Sequence, residues 1–573
     1  MSTRNIEIAR IFAQIADLLE IQQESTFRVN AYRKGSRALE GLADDVEAVA
    51  ARGELRKIGG IGESLAEKIE EYLRTGTVAY HQELQRALPP GVADLMTIPE
   101  VGPKTALLLY QRLGVTDIDA LERAARGGKV RELPRLGAKI EQNILQGIER
   151  RRLQATRQPI GIVLPQAQAV ADALRAVSGV EAVSLAGSIR RMRDTIADID
   201  VVVATRTPEP VMAAVVALPQ VDRVLSRGST LASVLLGVSG VQCDVRAVEP
   251  ESYGAALQYF TGSKDHNVQL REMAVRRGLR INEYGVFRVE DDRKVGGRIE
   301  EEVYQALTLS WIPPEIREAQ GEIELAQRGA LPRLIELSDV RGDLHMHSTW
   351  SDGDDTAEAM AQAAKARGYE YIAITDHSRS LRFAGGVSID DLREHTTEVR
   401  KMSDRVGLRI LIGSEVDILA DGSLDYPDEV LRTLDVVIGS VHSRLRMPQE
   451  EMTRRVITAM ENPHLDILGH PTGRLVGQRP PFDLDLDAVI EAARRTETLL
   501  EINAYPDRLD LKDTHVRMAR DRDALFEIGT DAHRKDHLRA MEYGIGTARR
   551  GWVEPRSVIN TWPLARLLEF FGD

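Results

Sequence analysis

The sequence is poor in cysteine, in long apolar runs and in low-complexity segments. Its single cysteine, Cys243, excludes an intrachain disulfide framework and a cysteine-based zinc cluster. No stretch of about eighteen or more apolar residues occurs, and the N-terminus lacks the basic and apolar regions of a signal peptide. We therefore expect a cytoplasmic protein that is stabilised by packing, in which any metal is bound by histidine and carboxylate side chains.

The chain also lacks the excess of positive charge that is typical of nucleic-acid-binding proteins, since its net charge is −13. The charge is uneven, with about +2 in residues 1–160, about −5 in 161–339 and about −10 in 340–573. A carboxylate surplus in the last region fits a site that binds several cations. The first region must use local backbone groups if it binds phosphate.

The length of 573 residues is too great for one hydrophobic core and predicts roughly three to five compact units. Residues 1–155 contain amphipathic helices broken by glycine turns, which predicts an all-α region. From about residue 162, strands alternate with helices, which predicts an α/β unit. Residues 316–339 are expected to form a linker over the surface. Short apolar strands recur after residue 340 and predict a closed or nearly closed β/α barrel.

Two segments of the helical region have an apolar-Gly-x-Gly pattern that leads into a helix, with a degenerate third copy around Gly137. Such glycines let backbone N–H groups converge at a helix N-terminus, where they bind phosphate without reading base sequence. One such loop would be an ordinary turn, but the repetition favours helix-hairpin-helix motifs that bind DNA. The residues expected at this interface are Gly60, Gly62, Gly102 and Lys104.

In the α/β unit, a Gly-Ser turn with a nearby arginine precedes an Asp-x-Asp strand, and a third aspartate follows on a later strand. These residues are Gly187, Ser188, Arg191, Asp198, Asp200 and Asp244. Because side chains alternate along a strand, Asp198 and Asp200 point to one face and can ligate the same pair of divalent ions. Ions held there would activate an attacking hydroxyl and hold a triphosphate for in-line displacement. The alternative, solvated acids at a strand end, is disfavoured by the phosphate-binding turn upstream.

Together with a later segment, these motifs resemble the family X DNA polymerases, the group that includes DNA polymerase beta, over residues 1–315. The later segment is Tyr259-Phe260-Thr261-Gly262-Ser263, followed by Asn267 and Arg271. The resemblance implies that Ser188 and Arg191 hold the β- and γ-phosphates. It also implies that two Mg or Mn ions are bound by Asp198, Asp200 and Asp244, the last of which accepts the primer proton.

The same resemblance assigns the residues around the nucleotide. Tyr259, Phe260 and Gly262 would line the sugar, Asn267 would face the base, and Arg271 would contact the template side. A cis peptide is expected at Gly262–Ser263. Ala197 stands where relatives have glycine, so its N–H can still bind phosphate while its Cβ crowds the site.

The segment Arg28–Lys34 and the first hairpin resemble the lyase domain of this family, in which Lys68 falls on the Schiff-base lysine. A lysine in a DNA pocket can attack a sugar aldehyde. The alternative is a solvated helix lysine. Ser64 replaces a basic residue that some relatives have one helical turn earlier, which bears on the strength of any lyase.

Ten of the twelve histidines follow residue 340, and most follow apolar strands, where a barrel has its active site. One histidine alone would be structural, but nine His, Asp and Glu residues in ligand-like order favour a metal centre. The nine candidates are His345, His347, Asp352, His377, Glu415, His442, His470, Asp531 and His533. These ligand types suit Mn, Zn or Fe alike.

Residues 340–573 resemble the PHP (polymerase and histidinol phosphatase) domain, whose pattern all nine residues match. The resemblance implies up to three divalent ions. The first would be bound by His345, His347, Glu415 and Asp531, the second by Asp352, His377 and His533, and the third by Glu415, His442 and His470. It also implies attack of an activated water on phosphorus.

The two resemblances predict a multidomain protein with an all-α N-terminal region, an α/β nucleotidyltransferase palm with a thumb, and a PHP-type distorted β/α barrel. The expected regions are a lyase-like domain (1–80), fingers (81–155), a palm (156–255), a thumb (256–315), a linker (316–339) and the PHP domain (340–573).

The expected function is DNA-directed synthesis across short gaps in DNA repair, either base excision repair or end joining. The PHP domain would act as a 3′–5′ exonuclease, with an abasic-site endonuclease or lyase activity besides. The expected partners are gapped or nicked DNA and dNTPs, with no membrane, and the chain is expected to be a monomer. One alternative is a nuclease whose polymerase core is a weakly active DNA-binding module. Another is a small-molecule phosphatase, which the two hairpins disfavour.

Overall fold

The computed structural model describes residues 3–21, 24–40, 46–75, 77–86, 95, 98, 101, 103–134, 136–154, 157–381 and 384–572. The chain divides into two compact units, residues 1–156 and 157–573.

The first unit is helical, which confirms the prediction of an all-α region. Its described helices are Thr3–Ile21, Thr26–Glu40, Val46–Ala51, Glu63–Thr75, Ala79–Arg86, Pro103–Leu113, Ile118–Arg126 and Ala138–Gln154. Phe12 and Ile69 belong to one buried cluster, and Leu109 and Ile144 belong to a second. Each cluster is built from the apolar faces of several short helices, as amphipathic periodicity requires.

The palm begins the second unit, and its strands are β1 (Gln158–Pro159), β2 (Val180–Leu185), β3 (Thr195–Ile196), β4 (Asp198–Thr205), β5 (Val221–Arg227), β6 (Leu231–Leu236) and β7 (Gln242–Val248). Five of them form a sheet in the order β2-β4-β7-β6-β5, in which only β4 and β7 pair in parallel. Its helices are Ile160–Arg175, Gly187–Arg190 and Pro208–Val216. Cys243 is a buried filler on β7.

The thumb follows, and its helices pack against a small antiparallel sheet. The helices are Tyr253–Thr261, Lys264–Arg276 and Glu300–Ala306, and the strands are β8 (Leu279–Asn282), β9 (Gly285–Arg288) and β10 (Lys294–Gly296).

Residues 316–339 lie only partly at the surface, so the expectation of a surface linker does not hold for the whole segment. Ile316, Ile323 and Leu334 are buried in the hydrophobic cluster of the thumb, and the stretch contains the helix Glu322–Gln327. Arg317 is also fully buried, because its guanidinium pairs with Glu300 at 2.6 Å. The charges suggested a solvated segment, but this ion pair lets the apolar residues pack inward.

The rest of the chain forms a distorted barrel, as the recurring apolar strands predict. Seven parallel strands follow one another in chain order: β11 (Gly342–Asp343), β12 (Tyr371–Ile374), β13 (Arg409–Asp417), β14 (Val436–Ser440), β15 (Ile467–Leu468), β16 (Leu499–Glu501) and β17 (Phe526–Glu527). A parallel bridge between Met346 and Ala532 joins the two ends of the series. The barrel helices are Ala357–Ala366, Ile389–Val406, Asp428–Leu431, Gln449–Met460, Leu486–Thr496, Asp513–Arg520, Met541–Arg550 and Leu564–Phe570.

The palm and the barrel share one hydrophobic cluster. Four barrel residues, namely Val476, Leu509, Ala540 and Tyr543, are buried together with residues of the palm sheet and its helices. A hydrogen-bonded ion pair crosses the same boundary, from Arg474 to Asp194 at 3.0 Å. The two domains are therefore packed against each other and form one compact unit.

Candidate active sites

The three aspartates of the palm lie on neighbouring strands. Parallel pairing places Asp200 on β4 beside Asp244 on β7. Ile199 is fully buried whereas Asp198 is exposed, so Asp198 and Asp200 share the open face of the sheet. Burial and the charges of Asp198 and Asp244 raise the pKa of Asp200 to about 7. A bound cation would relieve this repulsion between like charges.

The turn before β4 brings phosphate-binding groups next to these acids. Gly187 has a φ of +62°, and a Cβ there would lie 2.6 Å from Asp200 Oδ2, so the position requires glycine. Ser188 Oγ is buried and has no hydrogen-bond partner among the described residues, which leaves it available to a ligand. Ala197 lies half-buried immediately before β4.

Arg191 is held by protein groups. Its Nε donates to Glu318 Oε1 at 3.1 Å, and its Nη1 donates to the carbonyl oxygen of Thr261. The expected cis peptide at Gly262–Ser263 is present. A Cβ on Gly262, whose φ is +72°, would lie 3.1 Å from Arg191 Nη1. The glycine therefore allows the guanidinium to approach the thumb backbone.

The thumb residues expected around the nucleotide lie together on the helices Tyr253–Thr261 and Lys264–Arg276. The rings of Tyr259 and Phe260 are 5.1 Å apart in a T-shaped pair. The side-chain amide of Asn267 donates to Tyr259 O at 2.7 Å, and Arg271 Nε donates to Asn267 O at 3.3 Å. The amide nitrogen of Asn267 has a second N–H, which can donate to a base while the first is bound to Tyr259.

Arg246 was not identified from the sequence, although it lies two residues after Asp244 on β7. Its guanidinium lies 4.5 Å from the centre of the Phe260 ring, and its charge counteracts the rise in the pKa of Asp200. The period of two along the strand was the signal that could have placed it on the same face as Asp244.

In the first unit, Gly60 has a φ of +106° and precedes the helix Glu63–Thr75, as a hairpin turn requires; Gly62 is exposed. Lys68 Nζ donates to Ser64 Oγ at 3.2 Å and lies 5.4 Å from the centre of the Tyr80 ring. Gly102 and the side chain of Lys104 lie outside the described residues.

The nine barrel candidates converge at the carboxyl ends of the strands. Within the described chain, three groups of ligand atoms lie within 4.8 Å of one another, and all three are in the barrel. The groups are His347, Asp352, His377 and His533; His345, His347 and Asp531; and His377, Glu415 and His442. His470 Nε2 lies 2.8 Å from Glu415 Oε1. His347 and His377 each belong to two groups, whereas the resemblance gave each of them a single ion.

Burial lowers the pKa of the barrel histidines, whereas neighbouring carboxylates raise it. Burial lowers the pKa of His345, but the carboxylates of Glu501, Asp531 and Glu415 outweigh it and raise the pKa well above its ordinary value. Burial and the neighbouring His377 lower the pKa of His347 to about 4. A neutral imidazole is the form that binds a metal, so His347 is already in its ligating state.

The donor set fits divalent cations. His345 Nε2, both ring nitrogens of His347 and His377 Nδ1 are buried without a hydrogen bond to any described residue. Carboxylate oxygens lie as near as 3.2 Å to His347 Nε2, but in an orientation that makes no hydrogen bond. Buried nitrogens that no protein group satisfies are costly unless a cation occupies the space between them.

Residues behind the ligands were missed by the sequence analysis. Glu501, which ends β16, places Oε1 2.5 Å from His345 Nδ1, and Asp417, which ends β13, places Oδ1 2.7 Å from His442 Nδ1. Such carboxylates fix the orientation of the ring that binds the metal. Their position at strand ends was the available signal.

The two sites together define a class of protein. A pair of strands with three adjacent aspartates behind a glycine turn is the arrangement of a nucleotidyltransferase. A barrel with a cluster of buried histidines and carboxylates is that of a phosphoesterase with several metals. The chain therefore joins a nucleotidyltransferase to a metal-dependent phosphoesterase.

Comparison with protein families supports this class region by region. A helix-hairpin-helix domain matches residues 3–78, and a SAM-like helix-hairpin-helix tandem matches residues 92–150. The DNA polymerase beta thumb matches residues 256–318, and the PHP domain matches residues 343–504.

Among related proteins, the DNA polymerase/3′-5′ exonuclease PolX of Bacillus subtilis is 39% identical over 97% of this chain and 97% of its own length. A probable phosphatase of Acetivibrio thermocellus is 35% identical over 28% of this chain and 65% of its own length. Another from Syntrophotalea carbinolica is 28% identical over 40% of this chain and 95% of its own length. The chain belongs to the family X DNA polymerases that carry a PHP domain.

Enzymes of both types use divalent metals, and the barrel contains ligand groups that suit them. Every helix within the described residues is too short or too polar to span a bilayer.

Proposed function

We propose that this chain is a DNA-directed DNA polymerase that fills short gaps during DNA repair and degrades mispaired or damaged 3′ ends with its PHP domain. Its substrates are gapped or nicked DNA and dNTPs, and it acts as a monomer in the cytoplasm. The observation that supports the proposal most directly is that one compact unit contains both three aspartates on neighbouring palm strands and the cluster of histidines and carboxylates in the barrel.

At the palm, Asp198, Asp200 and Asp244 would hold two Mg or Mn ions. Ser188, Arg191 and the N–H of Ala197 would bind the triphosphate, while Tyr259, Phe260 and Gly262 contact the sugar. Asn267 would then face the base and Arg271 the template. The primer 3′-hydroxyl attacks the α-phosphorus, its proton passes to an Asp244 oxygen, and pyrophosphate leaves.

At the barrel, the nine clustered residues would hold up to three Mn, Zn or Fe ions. When bound, such ions polarise phosphate oxygens and lower the pKa of an attacking water. Glu501 and Asp417 hold the His345 and His442 rings in their ligating orientation. Cleavage of the terminal phosphodiester by water releases one nucleotide and leaves a new 3′-hydroxyl.

The proposal is tested by measuring primer extension and 3′ degradation on one-nucleotide-gapped DNA with Mn²⁺. We expect Asp200→Ala to abolish extension while degradation continues, and His345→Ala to do the reverse, each with a loss on the order of a thousandfold. Loss of both activities in either variant would contradict independent sites. Degradation without extension in the wild-type chain would instead favour a nuclease with an inactive polymerase core.

A second activity, cleavage at abasic sites, is favoured by the surroundings of Lys68. Its Nζ lies over the Tyr80 ring, and Tyr80 accepts a hydrogen bond from Arg28 at 2.7 Å, so two cations flank one ring. Borohydride should trap a covalent adduct between Lys68 and abasic DNA. The adduct should disappear in Lys68→Ala and persist in Lys57→Ala, because the exposed Lys57 pairs with Glu54 instead.

A further inference from the structure

Arg550, the last residue of the barrel helix Met541–Arg550, reaches the phosphate-binding turn of the palm. Its Nη1 donates to the main-chain oxygen of Arg191 at 2.7 Å and to Glu318 Oε1 at 3.0 Å. The side chain is almost fully buried. A residue of the nuclease domain therefore touches both the backbone of Arg191 and the carboxylate that Arg191 binds.

The opposite side of the Arg550 guanidinium is fixed by Asp513, the first residue of the barrel helix Asp513–Arg520. Asp513 Oδ2 accepts from Arg550 Nε at 2.8 Å and lies 2.7 Å from Nη2. The two groups use the planar, forked geometry of the guanidinium, which a lysine cannot reproduce. Asp513 thus aims the Nη1 group of Arg550 at the palm.

Glu318 stands at the centre of three guanidinium groups. Its Oε1 lies 3.1 Å from Arg191 Nε, 3.0 Å from Arg550 Nη1 and 3.7 Å from Arg193 Nη1. Counted with Asp513, the cluster has three positive and two negative charges. The charge of Arg191 also counteracts the rise in the pKa of Asp198 and Asp200, so it acts at the palm acids as well as at Glu318.

These contacts have opposite consequences for a triphosphate at Arg191. The Glu318 carboxylate competes with the triphosphate, because both anions attract the same guanidinium. Arg550 weakens this competition by sharing Glu318, and it also fixes the backbone of the turn that contains Ser188 and Arg191. Without Arg550, Glu318 would bind Arg191 without competition from Arg550, and the backbone of the turn would lose a hydrogen bond.

We propose that Arg550 and Glu318 are positioning residues of the triphosphate site, through which the PHP domain sets how tightly the polymerase binds an incoming dNTP. The inference rests on the proposed role of Arg191 in binding the triphosphate. Glu318 reduces the positive charge of Arg191 that is available to the nucleotide, and Arg550 holds Glu318 and the turn in place.

The test is steady-state extension of a one-nucleotide-gapped primer by the full chain, with kcat and KM for dNTP measured separately. Arg550→Ala should raise KM about tenfold and change kcat less than about threefold. Glu318→Gln should lower KM about threefold, because the amide keeps an acceptor oxygen but removes the competing charge. A general loosening of the fold would not lower KM.

Arg549→Ala is the matched control, because Arg549 precedes Arg550 in the same helix but binds Glu315 at 2.8 Å and the main-chain oxygen of Ile335 at 2.9 Å. Its KM should stay within about twofold of the wild type. Equal KM values for the Arg550→Ala and Arg549→Ala chains would overturn the proposal. The 3′ degradation rate of each variant reports whether the barrel is folded.

If Arg550→Ala does not fold, the Glu318→Gln chain alone tests the proposal. A KM for dNTP that is unchanged or higher in this chain overturns it. Arg191→Ala separates this inference from the role of Arg191. If its KM equals that of the wild type, the assignment of Arg191 itself fails. If its KM rises while Arg550→Ala and Glu318→Gln behave as the wild type, only the coupling to the PHP domain fails.

Discussion

The two catalytic centres of the second unit are built in different ways. In the barrel, the histidine ligands are mostly buried, and carboxylates behind the rings orient His345 and His442. In the palm, the acids are brought together only by strand register, and Asp198 is exposed. Packing thus holds the barrel ligands in place, whereas the palm places three carboxylates close together although their negative charges repel one another.

The difference extends to the groups that must meet the substrate. In the barrel, both ring nitrogens of His347, Nε2 of His345 and Nδ1 of His377 lack hydrogen bonds to the described residues. Around the palm acids, Arg191 and the thumb residue Asn267 already bind protein groups. The barrel is therefore preorganised for its metals, while the palm must exchange internal contacts for contacts with the nucleotide.

The largest effect in this comparison is expected at Gly187, which lies close to the Asp200 carboxylate in the palm. Gly187→Ala places a Cβ 2.6 Å from Asp200 Oδ2 at a φ of +62°, which displaces the carboxylate or the turn. Primer extension should fall by on the order of a hundredfold or more, while 3′ degradation stays near the wild-type rate. Both rates are measured on the same gapped DNA.

Gly240→Ala is the control for backbone strain, because Gly240 has a φ of +65° and a Cβ there would meet no atom within 4 Å. It should lower stability slightly and leave extension unchanged. Equal losses of extension in the Gly187→Ala and Gly240→Ala chains would show that strain, and not the contact with Asp200, is responsible.

A smaller effect is expected behind the barrel ligands. Glu501→Gln replaces the carboxyl group that lies 2.5 Å from His345 Nδ1 with an amide, so metal affinity and 3′ degradation should fall about ten- to a hundredfold. Extension should not change. The measurement is degradation rate against Mn²⁺ concentration, in which a loss of affinity shifts the midpoint.

Glu527→Gln is the matched control for Glu501. Glu527 is also fully buried, and burial and the charge of Glu501 raise its pKa well above the ordinary value. The raised pKa favours its protonated form, which the amide matches in shape. A shift in the Mn²⁺ midpoint as large as that of Glu501→Gln would contradict the specific role of the pair with His345.

The smallest effect concerns stability alone. Burial raises the pKa of Asp466 to about 7, so the folded chain binds this proton more tightly than the unfolded chain does. The resulting stabilisation is present below about pH 4 and is lost as the pH rises through about 7. Asp466→Asn keeps an acceptor for Val437 N–H but cannot ionise. It should be more stable than the wild type at pH 8 by about 1–3 kcal/mol.

Urea unfolding at pH 5 and pH 8 measures this difference. The gap between the variant and the wild type should widen from pH 5 to pH 8. A constant gap would mean that Asp466 titrates alike in the folded and unfolded chains.

Much of this organisation follows from local pattern. The period of two along β4 placed Asp198 and Asp200 on one face, and the recurring apolar strands predicted the barrel. His345 and His347 lie just beyond β11, which ends at Asp343. Beyond it the chain leaves the sheet to bridge Met346 with Ala532, a closure that local sequence does not encode.

The contacts that could not be predicted join residues far apart in the chain. Glu318 falls in the segment that was expected to be a linker, and no pattern in the sequence singles out Arg550. Only the fold brings both to Arg191. Glu501 and Asp417 were missed for the same reason, since their partners His345 and His442 lie on other strands.

The hydrophobic cluster shared by the palm and the barrel has a practical consequence for dissection of the enzyme. Separation of the chain near residue 330 would expose the face of the palm that packs against Leu509, Ala540 and Tyr543. Such an apolar patch favours self-association. A polymerase fragment produced without its nuclease half would be prone to aggregate even though all three of its aspartates remained.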